Sequence, residues 1–432
     1  MRETTTLALC GAAAACLMLS CSCQGRSSGA RAGLSLHALL NRPSGESENR
    51  TVGLKMEIIA REGTTWTRPT WAPTTPKLLY DGKKLYAVNL VGSGPGRDVA
   101  RLYWRDSDGW HEGANITPIY QPATILLDSS GHINLFCTDT GKRGYHWRSI
   151  KPGDVTAFEQ VPLAEPEKFA FGYLGTGSCE DMLVLVGLDT QYAMWIALKP
   201  SSSEPWDAPR PLAPSRLGEI PRISPVYPVV MPERERVHVV YSNCPDGGEG
   251  NTYNRVQYAL LDIRQDRVVR RDVIADGPLG EVTYDQDALL SPDGTLYVLY
   301  TAGVYKYSER RNDIEGRKGL YCAVLRPGQH WFIRRLSDNP SWGQLCAGPG
   351  GDVHVFSESR HFVSRNRGKS WEEAGPRAPD PAGQAFYVIK ANSGSVGDGA
   401  ARMLLAERLG GPLPAGASPF ILKYAQVDLS SP

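Results

Sequence analysis

The stretch DQDALLSPDGTLYVLYTA, residues 285–302, indicates the fold class of the whole chain. It begins as a short strand, turns at Pro292, Asp293 and Gly294, and continues as a strongly β-prone strand from Leu296. Proline, aspartate and glycine favour tight turns, whereas leucine, tyrosine and valine favour strands. The stretch therefore predicts a β-hairpin.

The same hairpin recurs, and the chain of 432 residues contains seven copies of it. The second strands of the copies are marked by Leu85, Ile133, Met182, Val237, Leu296, Val353 and Met403, spaced by 48, 49, 55, 59, 57 and 50 residues. A third strand follows each copy, for example GYHWRS from Gly144, and a more polar fourth strand follows most of them, such as VVRRDVI from Val268. This period is typical of four-stranded blades, so the repeat predicts an all-β, seven-bladed β-propeller.

The two ends of the chain are predicted to close the ring. The seventh copy has no fourth strand after Leu429, while the strand-like segment LKMEIIA from Leu54 precedes the first copy. Pairing of that segment with the seventh copy would complete the last blade and leave no open sheet edge. We therefore expect one propeller domain over residues 54–432, closed by an N-terminal strand.

The first 23 residues have the pattern of an export signal. A basic residue precedes an apolar run over residues 7–19, which is too short to span a bilayer. The string LMLSC ending at Cys21 resembles a bacterial lipobox, and Cys23 ends a second, poorer match; simple cleavage of the signal is the other reading. Residues 24–53 are rich in Gly, Ser and Arg and predict a flexible linker. We expect a protein that is secreted, or lipid-anchored at the cell envelope through Cys21.

Charge and cysteine content narrow the class of partner. Lys and Arg total 47 against 46 Asp and Glu, so no global field draws the protein to nucleic acid. The cysteines beyond the signal segment have no spacing typical of a disulfide framework or a Cys-x-x-Cys metal site. They are Cys137, Cys179, Cys244, Cys322 and Cys346. We expect a monomer with no metal, no cofactor and no nucleic-acid partner.

One turn carries a known family motif. In the sixth copy, residues 364–371 read SRNRGKSW, which resembles the Asp-box Ser-x-Asp-x-Gly-x-Thr-Trp with Asn366 in place of Asp and Ser370 in place of Thr. In such a turn the polar side chain caps the backbone, the glycine supplies a positive φ and the tryptophan packs between sheets. Degenerate forms of the turn end at Trp110, Trp206 and Trp331. The chain therefore resembles the sialidase-like propellers with BNR repeats.

The resemblance carries expectations about function. Sialidases grip a carboxylate with three arginines, and the nearest string to their Arg-Ile-Pro is RISP, residues 222–225, in mid-chain. Seven-bladed polysaccharide lyases of the ulvan lyase type are also similar to this chain in export, size and blade count. Their chemistry uses a Tyr and His pair with an Arg that neutralises the substrate carboxylate. The resemblance thus implies an acidic polysaccharide as ligand.

We expect the ligand site at one end of the propeller axis. Loops from each fourth strand to the next first strand gather there, together with loops joining second and third strands. The residues of these loops predicted to bind substrate are Trp66, Arg68, Trp71, Gln121, Arg143, Tyr253, Tyr284, Asp287 and Trp342. Aromatic faces stack on sugar rings and arginine forks grip carboxylates, so the set suits an acidic saccharide, and equally the hot spots of a protein partner.

Four residues are candidates for catalysis, namely His146, Tyr227, Arg222 and Asp285. In a lyase, a Tyr or His would remove the proton beside a uronate carboxylate while Arg222 or Arg143 neutralises the forming charge. In a hydrolase, Asp285 or Asp287, which are predicted to share one strand face, would do the acid and base work.

Each candidate also has a structural interpretation. His146 could be a packed strand residue, Tyr227 and Tyr284 could cap blade entrances, and the aspartates could satisfy backbone donors. The alternative function is therefore a non-catalytic surface module that displays the propeller to glycans or proteins. The sequence has no Gly-rich phosphate loop, zinc spacing or Ser/His/Asp motif that would indicate another chemistry.

Overall fold

The computed structural model describes residues 55–63, 72, 74–92, 98–213, 225–244, 254–278, 281–305, 317–357, 360–374, 389–392, 399–408 and 420–429. Over these residues the protein is all-β, and its strands form seven four-stranded blades in a ring. The helical content of the described residues is the 3-10 turn Pro166–Phe169. No described helix has the length and apolar character needed to cross a membrane.

Each blade is a mainly antiparallel sheet whose strands follow chain order outward from the axis, and strand β1 (Lys55–Ala60) precedes them. Blade 1 comprises β2 (Leu78–Tyr80), β3 (Leu85–Val91), β4 (Asp98–Asp106) and β5 (Gly109–Ile119). Blade 2 comprises β6 (Thr124–Leu127), β7 (Ile133–Thr138), β8 (Gly144–Ser149) and β9 (Phe158–Val161). Blade 3 comprises β10 (Phe171–Cys179), β11 (Met182–Leu188), β12 (Met194–Lys199) and β13 (Arg210–Ala213).

The remaining blades have the same order. Blade 4 comprises β14 (Pro225–Pro232), β15 (Arg236–Asn243), β16 (Arg255–Asp262) and β17 (Arg267–Asp276). Blade 5 comprises β18 (Glu281–Leu290), β19 (Leu296–Tyr305), β20 (Gly319–Leu325) and β21 (Phe332–Ser337). Blade 6 comprises β22 (Gly343–Ala347), β23 (Val353–Ser357), β24 (His361–Ser364) and β25 (Glu372–Glu373). Blade 7 comprises β26 (Ile389–Asn392), β27 (Ala400–Arg408), β28 (Phe420–Asp428) and then β1.

The N-terminal strand occupies the place predicted for it. β1 pairs antiparallel with β28, with Lys55 opposite Gln426, and so becomes the fourth strand of blade 7. At the inner edge β26 pairs in parallel with β2, which joins blades 7 and 1 into one eight-stranded sheet. The first pairing completes blade 7, and the second joins blade 7 to blade 1. We call this junction of the last and first blades the seam of the ring.

The sequence period corresponds to the blade. Leu85, Ile133, Met182, Leu296 and Val353 are the first residues of the second strands β3, β7, β11, β19 and β23. These strands are almost wholly buried, because each lies between the two neighbouring blades, and their runs of apolar residues follow from that position. The seven-bladed fold predicted from the repeat is therefore confirmed.

Two glycines set the spacing of the inner strands of blades 3 and 4. A Cβ at Gly175 of β10 would lie 2.6 Å from the Pro228 carbonyl oxygen, and one at Gly177 would lie 2.5 Å from Pro232 Cδ. No side chain fits at either distance. The close approach of β10 to β14 near the axis therefore depends on glycine at these positions.

The turn SRNRGKSW has the geometry expected of it. Asn366 Oδ1 accepts a hydrogen bond from the Ser370 N–H at 2.8 Å, and the Ser364 hydroxyl accepts one from the Gly368 N–H at 2.8 Å. Gly368 has a φ of 74°. Trp371 packs against the hydrophobic cluster shared by blades 5 and 6. The tryptophans at the equivalent turns pack in other blade junctions in the same way; they are Trp110, Trp206 and Trp331.

Candidate active site

The upper end of the propeller is the end at which first strands begin and second strands finish. It is the end at which the sequence predicts the ligand site. Six of the residues named from the sequence lie outside the described residues: Cys21, Trp66, Arg68, Trp71, Arg222 and Tyr253.

Asp285 lies on β18, the inner strand of blade 5, and faces blade 4. Its side chain is fully buried, its Oδ1 accepts a hydrogen bond from the Ser242 hydroxyl, and its own N–H donates to that hydroxyl at 2.9 Å. Its Oδ2 is buried and has no hydrogen-bond partner among the described residues. Burial raises the pKa of Asp285 to about 8, against the smaller opposing effect of Ser242. The carboxyl group therefore holds its proton at neutral pH.

A β-bulge at Gln286 turns Asp287 the other way. The register of β18 with β19 shifts between Asp285 and Asp287, and Asp287 Oδ2 accepts a hydrogen bond from the Leu345 N–H of blade 6 at 2.7 Å. The prediction that the two carboxylates share one strand face is therefore wrong, because the bulge interrupts the two-residue alternation of the strand. Asp287 holds β22 against β18. It satisfies a backbone donor, as the structural interpretation of the two aspartates predicts.

Glu281 is a second buried carboxylate on β18, and sequence reasoning missed it. Its Oε1 accepts hydrogen bonds from the Thr283 hydroxyl at 2.9 Å and the Gly303 N–H at 3.0 Å, and lies 3.4 Å from Arg317 Nη2. Its Oε2 is buried without a hydrogen-bond partner among the described residues. The sequence signal that could have indicated Glu281 was its position four residues before Asp285. One inner strand thus carries two buried carboxyl groups, each with one oxygen that has no hydrogen-bond partner among the described residues.

Tyr284 and Trp342, both predicted to bind substrate, come together at the junction of blades 5 and 6. Their ring centroids are 5.0 Å apart at an interplanar angle of 61°, and both side chains are partly exposed. Gln286 fixes the strand that follows Trp342, since its Oε1 accepts a hydrogen bond from the Gly343 N–H at 2.6 Å. The pair offers an aromatic surface on which a sugar ring can pack.

Tyr227 lies in a different junction, between blades 3 and 4. Its ring is 4.3 Å from that of Tyr173, and its side chain is buried. Its φ of 56° is unusual for a residue other than glycine. Tyr227 is therefore held in a constrained conformation at the start of β14, one blade away from Asp285.

His146 lies in the junction of blades 2 and 3. It is fully buried and stacks on Phe136 at 4.4 Å, its Nε2 is 2.8 Å from Asn134 Oδ1, and its Nδ1 accepts a hydrogen bond from Trp206 Nε1 at 3.0 Å. Burial lowers the pKa of His146 to about 3, so the ring is neutral. Both ring nitrogens thus have hydrogen-bond partners. This is the arrangement expected of a packed strand residue, which is the structural interpretation of His146.

The equivalent position in blade 6 carries the same pair of residues. Phe356 and His361 lie opposite each other on β23 and β24, as Phe136 and His146 do on β7 and β8, and their rings are 4.3 Å apart. A Phe–His pair at this position therefore belongs to blade packing in two of the seven blades.

The two predicted ligand residues of blade 2 also lie at the upper end. Gln121 is buried, and its Oε1 has no hydrogen-bond partner among the described residues. Arg143 is exposed in the loop between β7 and β8, where its N–H donates to Asp139 Oδ1 at 2.9 Å. At the upper end, blade 2 thus has an amide and a guanidinium group, and blades 5 and 6 have the carboxyl group and the aromatic pair.

Comparison with known proteins identifies the fold. No known family and no curated protein matches the sequence. A solved structure of a PL25 ulvan lyase is similar over 87% of this chain and 96% of that chain, with a TM-score of 0.63 and 12% sequence identity. A second ulvan lyase structure, bound to GlcA(1-4)Rha3S, has the same values.

Two further solved structures are similar at lower scores. An α-L-arabinanase from Penicillium chrysogenum, complexed with arabinobiose, has a TM-score of 0.46 at 12% identity and covers 86% of this chain and 99% of its own. The Aleuria aurantia lectin has a TM-score of 0.38 at 14% identity and covers 72% of this chain and 98% of its own. The structural neighbours of this β-propeller thus include a polysaccharide lyase, a glycoside hydrolase and a lectin.

Proposed function

We propose that the protein is a carbohydrate-active propeller that cleaves an acidic polysaccharide at the upper end of its axis, with Asp285 as the proton donor. One observation carries the proposal: a fully buried carboxyl group holds its proton at neutral pH and keeps Oδ2 without a partner among the described residues. A carboxyl group with a raised pKa is the usual general acid of glycosidic bond cleavage.

The proton donor has the same role in both possible reactions. In hydrolysis water adds to the sugar carbon as its bond to the bridging oxygen breaks. In elimination a base removes the proton beside the carboxylate as the bond to the bridging oxygen breaks. In both reactions the leaving oxygen must receive a proton. Asp285 would give that proton from Oδ2 and become ionised. Tyr284 and Trp342 would pack against a sugar ring, and Arg143 would pair with a carboxylate or sulfate of the chain.

The products distinguish the two reactions. Elimination next to a uronate carboxylate yields an unsaturated sugar that absorbs in the ultraviolet, whereas hydrolysis adds water and yields a new reducing end without that absorbance. We would incubate the purified mature chain with uronate-containing, sulfated and sialylated polysaccharides and follow both signals. The proposal predicts that Asp285→Asn reduces either signal by at least ~100-fold, as is typical for loss of general acid catalysis.

A matched variant controls for folding. Asp128 is also buried, but it lies at the opposite end of the propeller, where Arg148 Nε is 3.0 Å from its Oδ2. Asp128→Asn should retain the wild-type rate per folded molecule, with the folded fraction measured by circular dichroism. A wild-type rate in Asp285→Asn would exclude Asp285 as the proton donor.

A non-catalytic glycan-binding module is the second candidate, and one observation favours it. Asp285 is closed off from solvent, whereas Tyr284 and Trp342 are partly exposed. A binding module needs only the aromatic pair. Retained polysaccharide binding that weakens in Trp342→Ala, with no product from any substrate, would support this function over cleavage.

We also propose that the protein is exported, with Cys21 as its lipid-anchored residue, and that its Asp-box-like turn reflects kinship with sialidase-like propellers. Export and lipid anchoring are supported by the apolar run over residues 7–19 and by the string LMLSC. Kinship with the sialidase-like propellers is supported by the turn at Asn366. Mass spectrometry of the envelope fraction would identify the mature N-terminus. An uncleaved chain in the cytoplasm would contradict export.

A further inference from the structure

A cavity of about 310 Å³ lies between blades 4 and 5 at the lower end of the propeller, opposite the candidate active site. It is bordered by the turn from β14 to β15, the turn from β18 to β19 and the turn from β20 to β21. Its volume is at the lower limit of the ~300–1,000 Å³ typical of small-molecule sites. We call it the lower cavity.

Three arginines from three different strands or turns line the lower cavity: Arg236, Arg270 and Arg326. Arg270 is committed to Asp272, which is 2.8 Å from its Nη2. Arg326 donates from Nη2 to the Arg367 carbonyl oxygen at 2.7 Å, but its buried Nε has no hydrogen-bond partner among the described residues. Arg236 is exposed and forms neither an ion pair nor a side-chain hydrogen bond with any described residue. Arg236 thus keeps its donors free at the lower cavity, and Arg326 adds the positive charge of a second guanidinium group, of which one N–H is used on a carbonyl oxygen.

The acidic groups near the lower cavity are already occupied. Glu233 Oε2 is 3.2 Å from His238 Nε2, and Asp272 Oδ2 also accepts a hydrogen bond from Trp331 Nε1 at 2.8 Å. His238 Nδ1 lies 2.9 Å from the Tyr258 hydroxyl. Burial lowers the pKa of His238, so the histidine is neutral and contributes no charge at neutral pH. Glu233 therefore keeps its negative charge, but the three arginines outnumber the two carboxylates beside the lower cavity, Glu233 and Asp272.

The rest of the wall is apolar. The ring of Tyr258 and the side chains of Leu260, Leu296, Leu325 and Pro327 line the lower cavity between the arginines. The hydrogen bond to His238 and the contact with Trp331, at 5.6 Å between ring centroids, fix the position of the Tyr258 ring. An apolar wall beside unpaired guanidinium groups suits a ligand that has a ring-shaped body and one anionic group.

We infer that the lower cavity binds a carboxylate or sulfate group carried on a ring-shaped body such as a pyranose, with Arg236 and Arg326 as the partners of the anion. Arginine forks bind both oxyanions through paired N–H donors, and the neighbouring apolar wall covers the ring. The inference does not depend on the proposed function, because no residue of the upper end takes part in it.

Calorimetric titration of the full mature chain with four probes tests the inference. The probes are glucuronate, glucose 6-sulfate, glucose and inorganic sulfate. We expect at least one of the first two to bind, and glucose and inorganic sulfate to bind at least tenfold more weakly. Equal affinity for glucose would overturn the role of the arginines, and equal affinity for inorganic sulfate would overturn the role of the apolar wall.

The same turn provides a matched pair of variants. Arg236→Gln should weaken binding of the acidic sugar at least tenfold, whereas Arg234→Gln should leave it unchanged. Arg234 is 79% exposed, does not line the lower cavity and lies 3.6 Å from Glu180. Equal effects of the two variants would overturn the inference, because they would show a general effect of charge.

A third variant separates the lower cavity from the candidate active site. Asp285→Asn, which tests cleavage, should bind the acidic sugar as the wild type does. If Asp285→Asn abolished binding and Arg236→Gln did not, the ligand would occupy the upper end, and the inference would be wrong whatever the outcome for cleavage.

Discussion

At the scale of single residues, Asp285 gives the protein an unusual pH dependence of stability. Its pKa is about 8 in the folded protein against an ordinary value of 3.8, so the folded state keeps a proton that the unfolded state has lost. The free energy of unfolding then falls as the pH rises from 3.8 to about 8, by on the order of 5 kcal/mol from this residue. Above that range its contribution is constant.

Chemical denaturation of the wild type and Asp285→Asn across this pH range measures the effect. The variant has no titrating group at position 285. Its free energy of unfolding should therefore rise relative to that of the wild type as the pH rises. The comparison is needed because His146, with its pKa lowered to about 3, adds a slope of opposite sign below the ordinary value of 6.5. A stability difference that is independent of pH would show that Asp285 is ionised in the folded protein.

The residue scale also shows what sequence reasoning can and cannot find. The repeat predicted that Asp285 and Trp342 lie at the upper ends of blades, and the structure places them there. The environment of Asp285 was not found, because the Ser242 that contacts it belongs to another blade. Asp287 was placed on the wrong face, since a bulge cannot be read from alternation. His146 has the surroundings of a packed residue, which depend on Trp206 from the next blade.

At the scale of the element, the turn at Asn366 is a self-contained capping unit. Asn366 Oδ1 accepts the Ser370 N–H at 2.8 Å, and its Nδ2 donates to the Ser370 hydroxyl at 2.7 Å. Asn366→Ala should lower the free energy of unfolding by about 1 kcal/mol, because it removes these two bonds and the one that Oδ1 accepts from the Ser364 hydroxyl at 3.2 Å. Asn366→Asp should stay within about 0.5 kcal/mol of the wild type, since the carboxylate still accepts both the N–H and the hydroxyl proton. Urea denaturation curves that are the same for both variants would contradict this account of the turn.

The strands themselves were predictable because each blade repeats one pattern. Second strands lie between neighbouring blades and are mostly apolar, so their starts could be read at five positions to the residue, from Leu85 to Val353. The inner strands were harder to interpret. The bulge of β18 depends on hydrogen bonds to blades 4 and 6, and no local pattern encodes those contacts.

At the scale of the whole molecule, Glu57 links the last blade to the first. It lies on β1 in blade 7, its Oε1 accepts a hydrogen bond from Arg105 Nη2 at 2.8 Å, and its Oε2 accepts one from Trp110 Nε1 at 3.1 Å. Both partners belong to blade 1. Glu57→Ala should lower the free energy of unfolding by about 1–3 kcal/mol, because a two-pronged, partly buried pair and an indole hydrogen bond are lost across the seam.

An exposed ion pair within one blade is the control for Glu57. Glu235 pairs with Arg264, and the two side chains are 49% and 75% exposed. Glu235→Ala should change the free energy of unfolding by less than about 0.5 kcal/mol. If both variants lost the same small amount in urea denaturation, the seam would not depend on Glu57.

The closed ring also explains how residues distant in sequence come to share the upper end. Arg143 and Gln121 come from blade 2, Asp285 from blade 5 and Trp342 from blade 6, and the strand order alone brings these blades around one axis. That grouping was predictable once the seven copies were counted. The chemistry of the group was not, because it depends on burial at blade junctions rather than on a motif.

The dependence of the cleavage rate on pH tests the central claim most directly. A general acid works only while protonated, so the wild-type rate on an acidic polysaccharide should fall as the pH rises through about 8, the pKa of Asp285. The small residual rate of Asp285→Asn should lack that falling limb. A wild-type profile without the limb, or a variant that keeps both the rate and the limb, would contradict the assignment of Asp285 as the proton donor.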